Sequence, residues 1–225
     1  MAADARAEVP NVVFTDWLRE TAEPHWSQAT GHHFTRELAD DSLPDDVYRR
    51  YLIQDYIFLD VLVRIVGYAI ATAPSINSRV RLSAFLAAVT GEENTYFLRS
   101  FEALGVSQAA LEATAPDEVT KGFQETMLGA AQSGGYPEIL SVFLPAEWIY
   151  LAWAKRAAGQ SPSRFYLREW IELHSLPEFE AFVRWLRKEL DREARALPPE
   201  RQETLAGLFR RIVELEVAFF DAAYG

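Results

Sequence analysis

Apolar residues recur along this chain with a period of three to four, and alternation over five or more residues is hard to find. That pattern predicts helices almost throughout. The expected helices cover 11–28, 44–73, 77–104, 116–133, 136–158, 162–173, 176–194 and 199–223, with a short turn around 34–39. The breaks carry helix punctuation. Pro44, Pro116 and Pro162 fall where first-turn prolines belong, because the N–H that proline lacks is unpaired there in any helix. Ser175 followed by Glu178 has the spacing of a capping box. Gly134-Gly135 and Gly159 stop helices, and Leu197-Pro198-Pro199 parts the last two. No composition shift, repeat or low-complexity segment divides the chain. The reading is a single all-α domain over residues 1–225, with about eight helices packed as a bundle.

A helix packed on a core buries positions i, i+3, i+4 and i+7, and a carboxylate on that stripe is costly to bury unpaired. Asp55 falls three residues after Leu52 and four before Leu59. Glu147 falls three after Leu144 and four before Leu151, and Glu216 four after Ile212 and three before Phe219. Glu93 follows Phe85, Leu86 and Val89 in the same manner, and His174 follows Trp170 and Ile171. Taken alone, each carboxylate is accounted for by a solvent-reaching or salt-bridged side chain. A lone histidine on such a stripe is more often structural, and aromatics at helical spacing more often fill a core. Four carboxylates on four helices carry a different implication if the stripes converge. They would form a polar pocket inside an aromatic shell, where carboxyl pKa values shift and acid–base work on a flat heterocycle becomes feasible.

Composition narrows the function classes. A chain of 225 residues, 49% hydrophobic and 24% charged, can bury a core without disulfides or metals and is not disordered. No apolar run is long enough for a membrane span. The net charge of −11 repels phosphate backbones and anionic membrane surfaces, so neither nucleic acid nor membrane is an expected partner. The absence of cysteine removes disulfides, thiolate nucleophiles and zinc–thiolate sites together. The opening Met-Ala-Ala-Asp-Ala-Arg-Ala-Glu-Val-Pro has no apolar core of a signal peptide, so a cytoplasmic location is expected. Aromatic residues make up 13% of the chain, enough to line a pocket for a planar ligand as well as to fill a core.

Several blocks resemble a known family. Gly31-His32-His33-Phe34-Thr35, Leu43-Pro44 and Tyr51-Leu52-Ile53-Gln54-Asp55-Tyr56 resemble the signature of the TenA/thiaminase II family. So do Leu144-Pro145-Ala146-Glu147-Trp148-Ile149-Tyr150, Trp170-Ile171 and the terminal Glu216-Val217-Ala218-Phe219-Phe220-Asp221-Ala222-Ala223-Tyr224. The resemblance runs in order over nearly the whole chain. It implies a haem-oxygenase-like helical bundle, usually a homotetramer, acting on the aminopyrimidine half of thiamin. Members hydrolyse aminomethyl-pyrimidine to hydroxymethyl-pyrimidine for salvage, and some cleave thiamin itself. No cofactor and no metal are implied. The family's association with transcription activation finds no DNA-binding feature here.

Carried over by position, Asp55 would bind the ring nitrogen and amino group, Glu216 would be the general acid or base, and Tyr150 would hydrogen-bond Glu216 or the ring. The departures are informative. The typical member has a cysteine that adds to the pyrimidine ring, and Ala146 occupies that position, with Glu147 beside it. Phe58, Phe123 and His174 replace residues that are usually pocket tyrosines and are counted with the substrate-binding set. This resembles the branch that lacks the cysteine and carries an extra Glu, linked to salvage of formyl-aminopyrimidine and aminopyrimidine. Without a thiolate, covalent ring addition is not available. Water attack between two carboxylates, Glu147 and Glu216, is the consistent substitute.

Two other readings compete. A non-catalytic pyrimidine-binding protein would follow if loss of the cysteine meant loss of chemistry. A dimetal oxidase on the same fold would need Glu-x-x-His pairs, and the chain's four histidines form none.

Overall fold

The apolar periodicity resolves into helices across residues 13–225, the part of the chain described by the computed structural model, and no strand occurs among them. Three short helices come first: α1 (Phe14–Thr21), α2 (His25–Thr30) and α3 (His33–Ala39). The long α4 (Asp45–Thr72) follows, then α5 (Ile76–Ala88), a π-helical turn (Val89–Glu93), α6 (Asn94–Ala103) and α7 (Gln108–Ala113). The second half contains α8 (Glu118–Ser133), α9 (Tyr136–Ala157), α10 (Phe165–Ser175), α11 (Pro177–Ala194) and α12 (Pro199–Ala222). None of the described helices is long and apolar enough to cross a membrane.

The all-α reading holds, and the segmentation is corrected in several places. The helix expected over 11–28 is two helices, α1 and α2, separated at Ala22–Pro24; positions 11 and 12 lie outside the described residues. The turn expected at 34–39 is helical, capped by His32, whose Nδ1 accepts the N–H of Phe34 at 3.2 Å. The continuous helix expected over 77–104 is interrupted by the π turn. Helix α7 was not expected because it buries none of its residues and so writes no apolar stripe.

The punctuation also differs in detail. Pro44 is the N-cap of α4, and Pro116 and Pro162 precede the caps of α8 and α10. The first-turn prolines are Pro137, Pro177 and Pro199 instead. At α8 the cap is Asp117, whose carboxylate accepts the N–H of Thr120 at 2.7 Å. That bond satisfies a donor that a first-turn proline would merely omit. Ser175 forms no capping box with Glu178. It ends α10, its hydroxyl donates to the Glu172 carbonyl, and Leu176 is the cap of α11. Half of such a box is made at α9, where the Glu138 carboxylate accepts the Gly135 N–H at 2.8 Å and glycine offers no side chain in return. Gly134 closes α8 as expected, and Gly159 follows α9 at φ +95°, which favours glycine.

Helix α9 is the axis of the bundle. Its run Ile139-Leu140-Ser141-Val142-Phe143-Leu144-Pro145-Ala146 is apolar on nearly every side and buried throughout, so it must be surrounded. Helices α4, α8, α10, α11 and α12 pack around it. Pro145 cannot donate to the Ser141 carbonyl, which loosens the backbone ladder just before Glu147. With α9 central, the inward stripes of α4 and α12 meet its middle, and their carboxylates arrive there together.

Candidate active site

A cavity of about 490 Å³ lies where these stripes meet. Asp55 and Phe58 reach it from α4, Phe123 from α8, Ala146, Glu147 and Tyr150 from α9, His174 from α10 and Glu216 from α12. Every site residue expected from the sequence therefore lines one cavity. Its floor is sealed: Asp55 is 6% exposed, Glu147 8% and Glu216 2%. Its mouth lies between α5 and the start of α11, where Arg81, Ala84, Leu176 and Glu178 are exposed.

The three floor carboxyls share one electrostatic environment. Burial raises each well above the ordinary carboxylate range, because water no longer stabilises the charge. Mutual repulsion adds to it: Glu93 acts on Asp55, Glu93 and Asp55 act on Glu147, and Asp55 and Glu147 act on Glu216. The carboxyls cannot all ionise at neutral pH and titrate as a coupled set. Such a floor holds protons and bases side by side.

Aromatic rings form the walls. Phe58 and Phe123 meet edge to face at 5.1 Å, and Phe123 meets Phe219 at 5.9 Å. A hydrogen-bonded chain stiffens the opposite wall. The His174 Nδ1 lies 2.9 Å from the Trp170 carbonyl, the Trp170 indole N–H donates to the Tyr51 hydroxyl at 3.1 Å, and the Tyr51 and Tyr150 hydroxyls are 2.8 Å apart. Tyr150 therefore pairs with Tyr51 rather than with Glu216 in this structure, and the alternative expectation, a hydrogen bond to the ring of a bound pyrimidine, stays open. A carbonyl only accepts, so His174 carries its proton on Nδ1 and leaves the Nε2 lone pair free. Burial lowers the His174 pKa to about 4, keeping the ring neutral.

Sequence reasoning missed part of the wall. Glu93, the fourth of the inward-stripe carboxylates and one the family blocks do not include, lines the cavity, half-buried, beside the exposed Glu92. Burial raises its carboxyl to about 7. The aromatic lining by Phe85 and Phe182, stacked at 4.3 Å, has no signal beyond ordinary core periodicity.

Metal-ligating geometry lies elsewhere. Among the described residues, one cluster of three ligand atoms lies within 4.8 Å: His32, His33 and Asp221. The His32 Nε2 pairs with Asp221 at 3.1 Å while its Nδ1 accepts the Phe34 N–H, so both ring nitrogens are already engaged. The cavity carboxyls form no such cluster.

Comparison with known proteins places this chain among relatives. Residues 19–225 match the model of the TENA/THI-4/PQQC family. The chain is 29% identical to the aminopyrimidine aminohydrolase of Halalkalibacterium halodurans over 214 residues, covering 94% of this chain and 95% of that protein. It is 25% identical to the aminopyrimidine aminohydrolase of Helicobacter pylori, covering 93% and 98%. Among solved structures, a TenA family transcription regulator from Silicibacter sp. TM1040 superposes with a TM-score of 0.84 at 26% identity, covering 93% of this chain and 96% of that one. A TenA homologue from P. horikoshii OT3 gives the same TM-score of 0.84 at 24% identity, covering 95% and 99%, a likeness of fold.

Proposed function

The chain belongs to the TENA/THI-4/PQQC family, and from that premise we propose that it is an aminopyrimidine hydrolase of thiamin salvage working without a cysteine nucleophile. The observation that carries this reading is the meeting of Asp55, Glu147 and Glu216, from three helices, on the buried floor of one aromatic-walled cavity. The names of its bacterial relatives support the same class of substrate.

Asp55 anchors the pyrimidine through its ring nitrogen and amino group. Phe58 and Phe123 hold the ring's plane, and Tyr150 and the His174 Nε2 meet its polar edge. Glu147 and Glu216 form the acid–base pair. One carboxylate takes a proton from water, and the resulting hydroxide attacks the carbon that bears the departing nitrogen. A C–O bond forms, the C–N bond breaks, and the other carboxyl delivers its proton to the nitrogen, which leaves as ammonia when the substrate is aminomethyl-pyrimidine. Raised pKa values fit both roles, since a protonated acid and an ionised base must coexist at neutral pH. Ala146 leaves room beside Glu147 where the family's thiol would stand. The proposed assembly is a homotetramer and the proposed location cytoplasmic, both by resemblance.

The decisive experiment is a product assay with purified protein on formyl-aminomethyl-pyrimidine, aminomethyl-pyrimidine and thiamin side by side, following hydroxymethyl-pyrimidine by chromatography. Turnover of the first or second supports the reading. Tight binding without turnover overturns it in favour of a pyrimidine-binding protein.

A further inference from the structure

The π-helical turn Val89–Glu93 divides what would otherwise be one helix from Ile76 to Ala103. A π turn accommodates an extra residue, and such turns are frequent at functional sites. One extra residue rotates the positions that follow by about 100° about the helix axis. Here it ends at Glu93, which lines the cavity, with Glu92 exposed beside it. The next residue is held in place: the Asn94 side-chain oxygen accepts the Tyr56 hydroxyl of α4 at 3.2 Å.

We propose that Glu93 is the proton-exchange residue of this site, passing protons between solvent and the buried carboxyls. The proposal rests on the hydrolase reading above. After each turnover the basic carboxylate holds the proton taken from water, and the acidic carboxyl has lost the one given to the departing nitrogen. The next cycle requires the first to lose its proton and the second to regain one. Glu216 and Glu147 are 2% and 8% exposed, so solvent reaches them only through the cavity that Glu93 also lines.

Glu93 has the placement such exchange needs. It is half-buried on the cavity wall, and its charge acts on Asp55 and Glu147, which in turn act on Glu216. Glu93 is thus the one of these four cavity carboxyls that is not buried. The other charged or titratable groups on the walls are less suited. His174 stays neutral with its Nδ1 proton committed to Trp170. Tyr150 holds its proton more tightly than usual. Arg81, Glu92 and Glu178 are exposed where the cavity meets solvent, whereas Glu93 is half-buried on its wall. A carboxyl near 7 also gives and takes protons readily at neutral pH.

The test compares E93Q and E93D with the wild type over a concentration series of a small imidazole buffer. E93Q is expected to lower kcat about tenfold or more, leave KM within about twofold, and regain kcat as buffer concentration rises. E93D is expected to keep most of the activity. An unchanged kcat, a loss that buffer does not restore, or a rise in KM alone would each overturn the proposal. An infrared titration of the ligand-free protein supplies a readout independent of turnover. A protonated-carboxyl band lost between about pH 6 and 8 in the wild type, and missing from E93Q, supports the proposal, whereas its absence from the wild type overturns it. Should the wild type turn over none of the pyrimidines, the hydrolase reading fails while this titration still decides whether Glu93 exchanges protons.

Discussion

The hydroxyls of Tyr51 and Tyr150 lie 2.8 Å apart in the core, and Tyr51 also accepts the Trp170 indole N–H at 3.1 Å. Tyr51 is thus the hub of this wall and Tyr150 its cavity-facing arm. Tyr51→Phe leaves two buried polar groups without their partner, and Tyr150→Phe leaves Tyr51 still bonded to Trp170. Urea denaturation is expected to show Tyr51→Phe destabilising by about 1–3 kcal/mol, and Tyr150→Phe by about 1 kcal/mol or less.

Glu147 and Glu216 are buried in mutual repulsion. Glu147→Gln and Glu216→Gln remove a costly charge and keep the shape, so both variants are expected to fold at least as stably as the wild type. Turnover of the preferred pyrimidine should fall about 100-fold or more in each. Steady-state kinetics beside thermal unfolding checks both halves; full activity in both variants would move the chemistry elsewhere.

Stability should fall as pH rises through neutrality. Asp55, Glu147, Glu216 and Glu93 have folded-state pKa values above their ordinary ones. The folded state therefore binds more protons than the unfolded chain from the ordinary carboxylate range upward, and stability drops with pH over that window, for Glu93 up to about 7. His174 has the opposite sign. Its pKa is lowered from 6.5 to about 4, so it adds stability as pH rises between those values. Above 6.5 the carboxyls act without that offset. Urea midpoints measured from pH 6.5 to 8 should decline, and less steeply in Glu93→Gln than in the wild type.

Ala146 is 4% exposed and borders the carboxyl-lined floor. A thiol there would be kept protonated by burial and by its acidic neighbours. Ala146→Cys is therefore expected to show no gain in turnover and slow alkylation by iodoacetamide at neutral pH. Rapid alkylation would mean that the cavity supports a thiolate and a covalent route.

His174 presents an Nε2 acceptor because its Nδ1 proton is held by the Trp170 carbonyl. His174→Phe preserves the aromatic wall and removes that acceptor. Affinity for an aminopyrimidine should weaken about tenfold, the scale of one hydrogen bond to a buried group, with little change for an analogue lacking the amino group. Calorimetric titration of the two ligands makes the comparison.

The sequence by itself determined the helices and the stripe on which each carboxylate sits. A 3.6-residue period is local and directly written, and it places Asp55, Glu147 and Glu216 inward on α4, α9 and α12. The family blocks identified the same three residues and the alanine where a thiol is usual. What lacked an apolar stripe went unread: α7, which buries nothing, and the break between α1 and α2. Ser175 and Glu178 matched a capping pattern that the chain does not use, because Leu176 and Pro177 start α11 between them. Only the tertiary structure decided that the stripes converge, since periodicity fixes a side chain's direction about its own axis but not which neighbour it meets. It also decided the pairing of Tyr150 with Tyr51 and the turn that brings Glu93 to the cavity. Both depend on how α4, α9, α10 and the π turn pack, and their free energy lies in contacts between residues far apart in the chain.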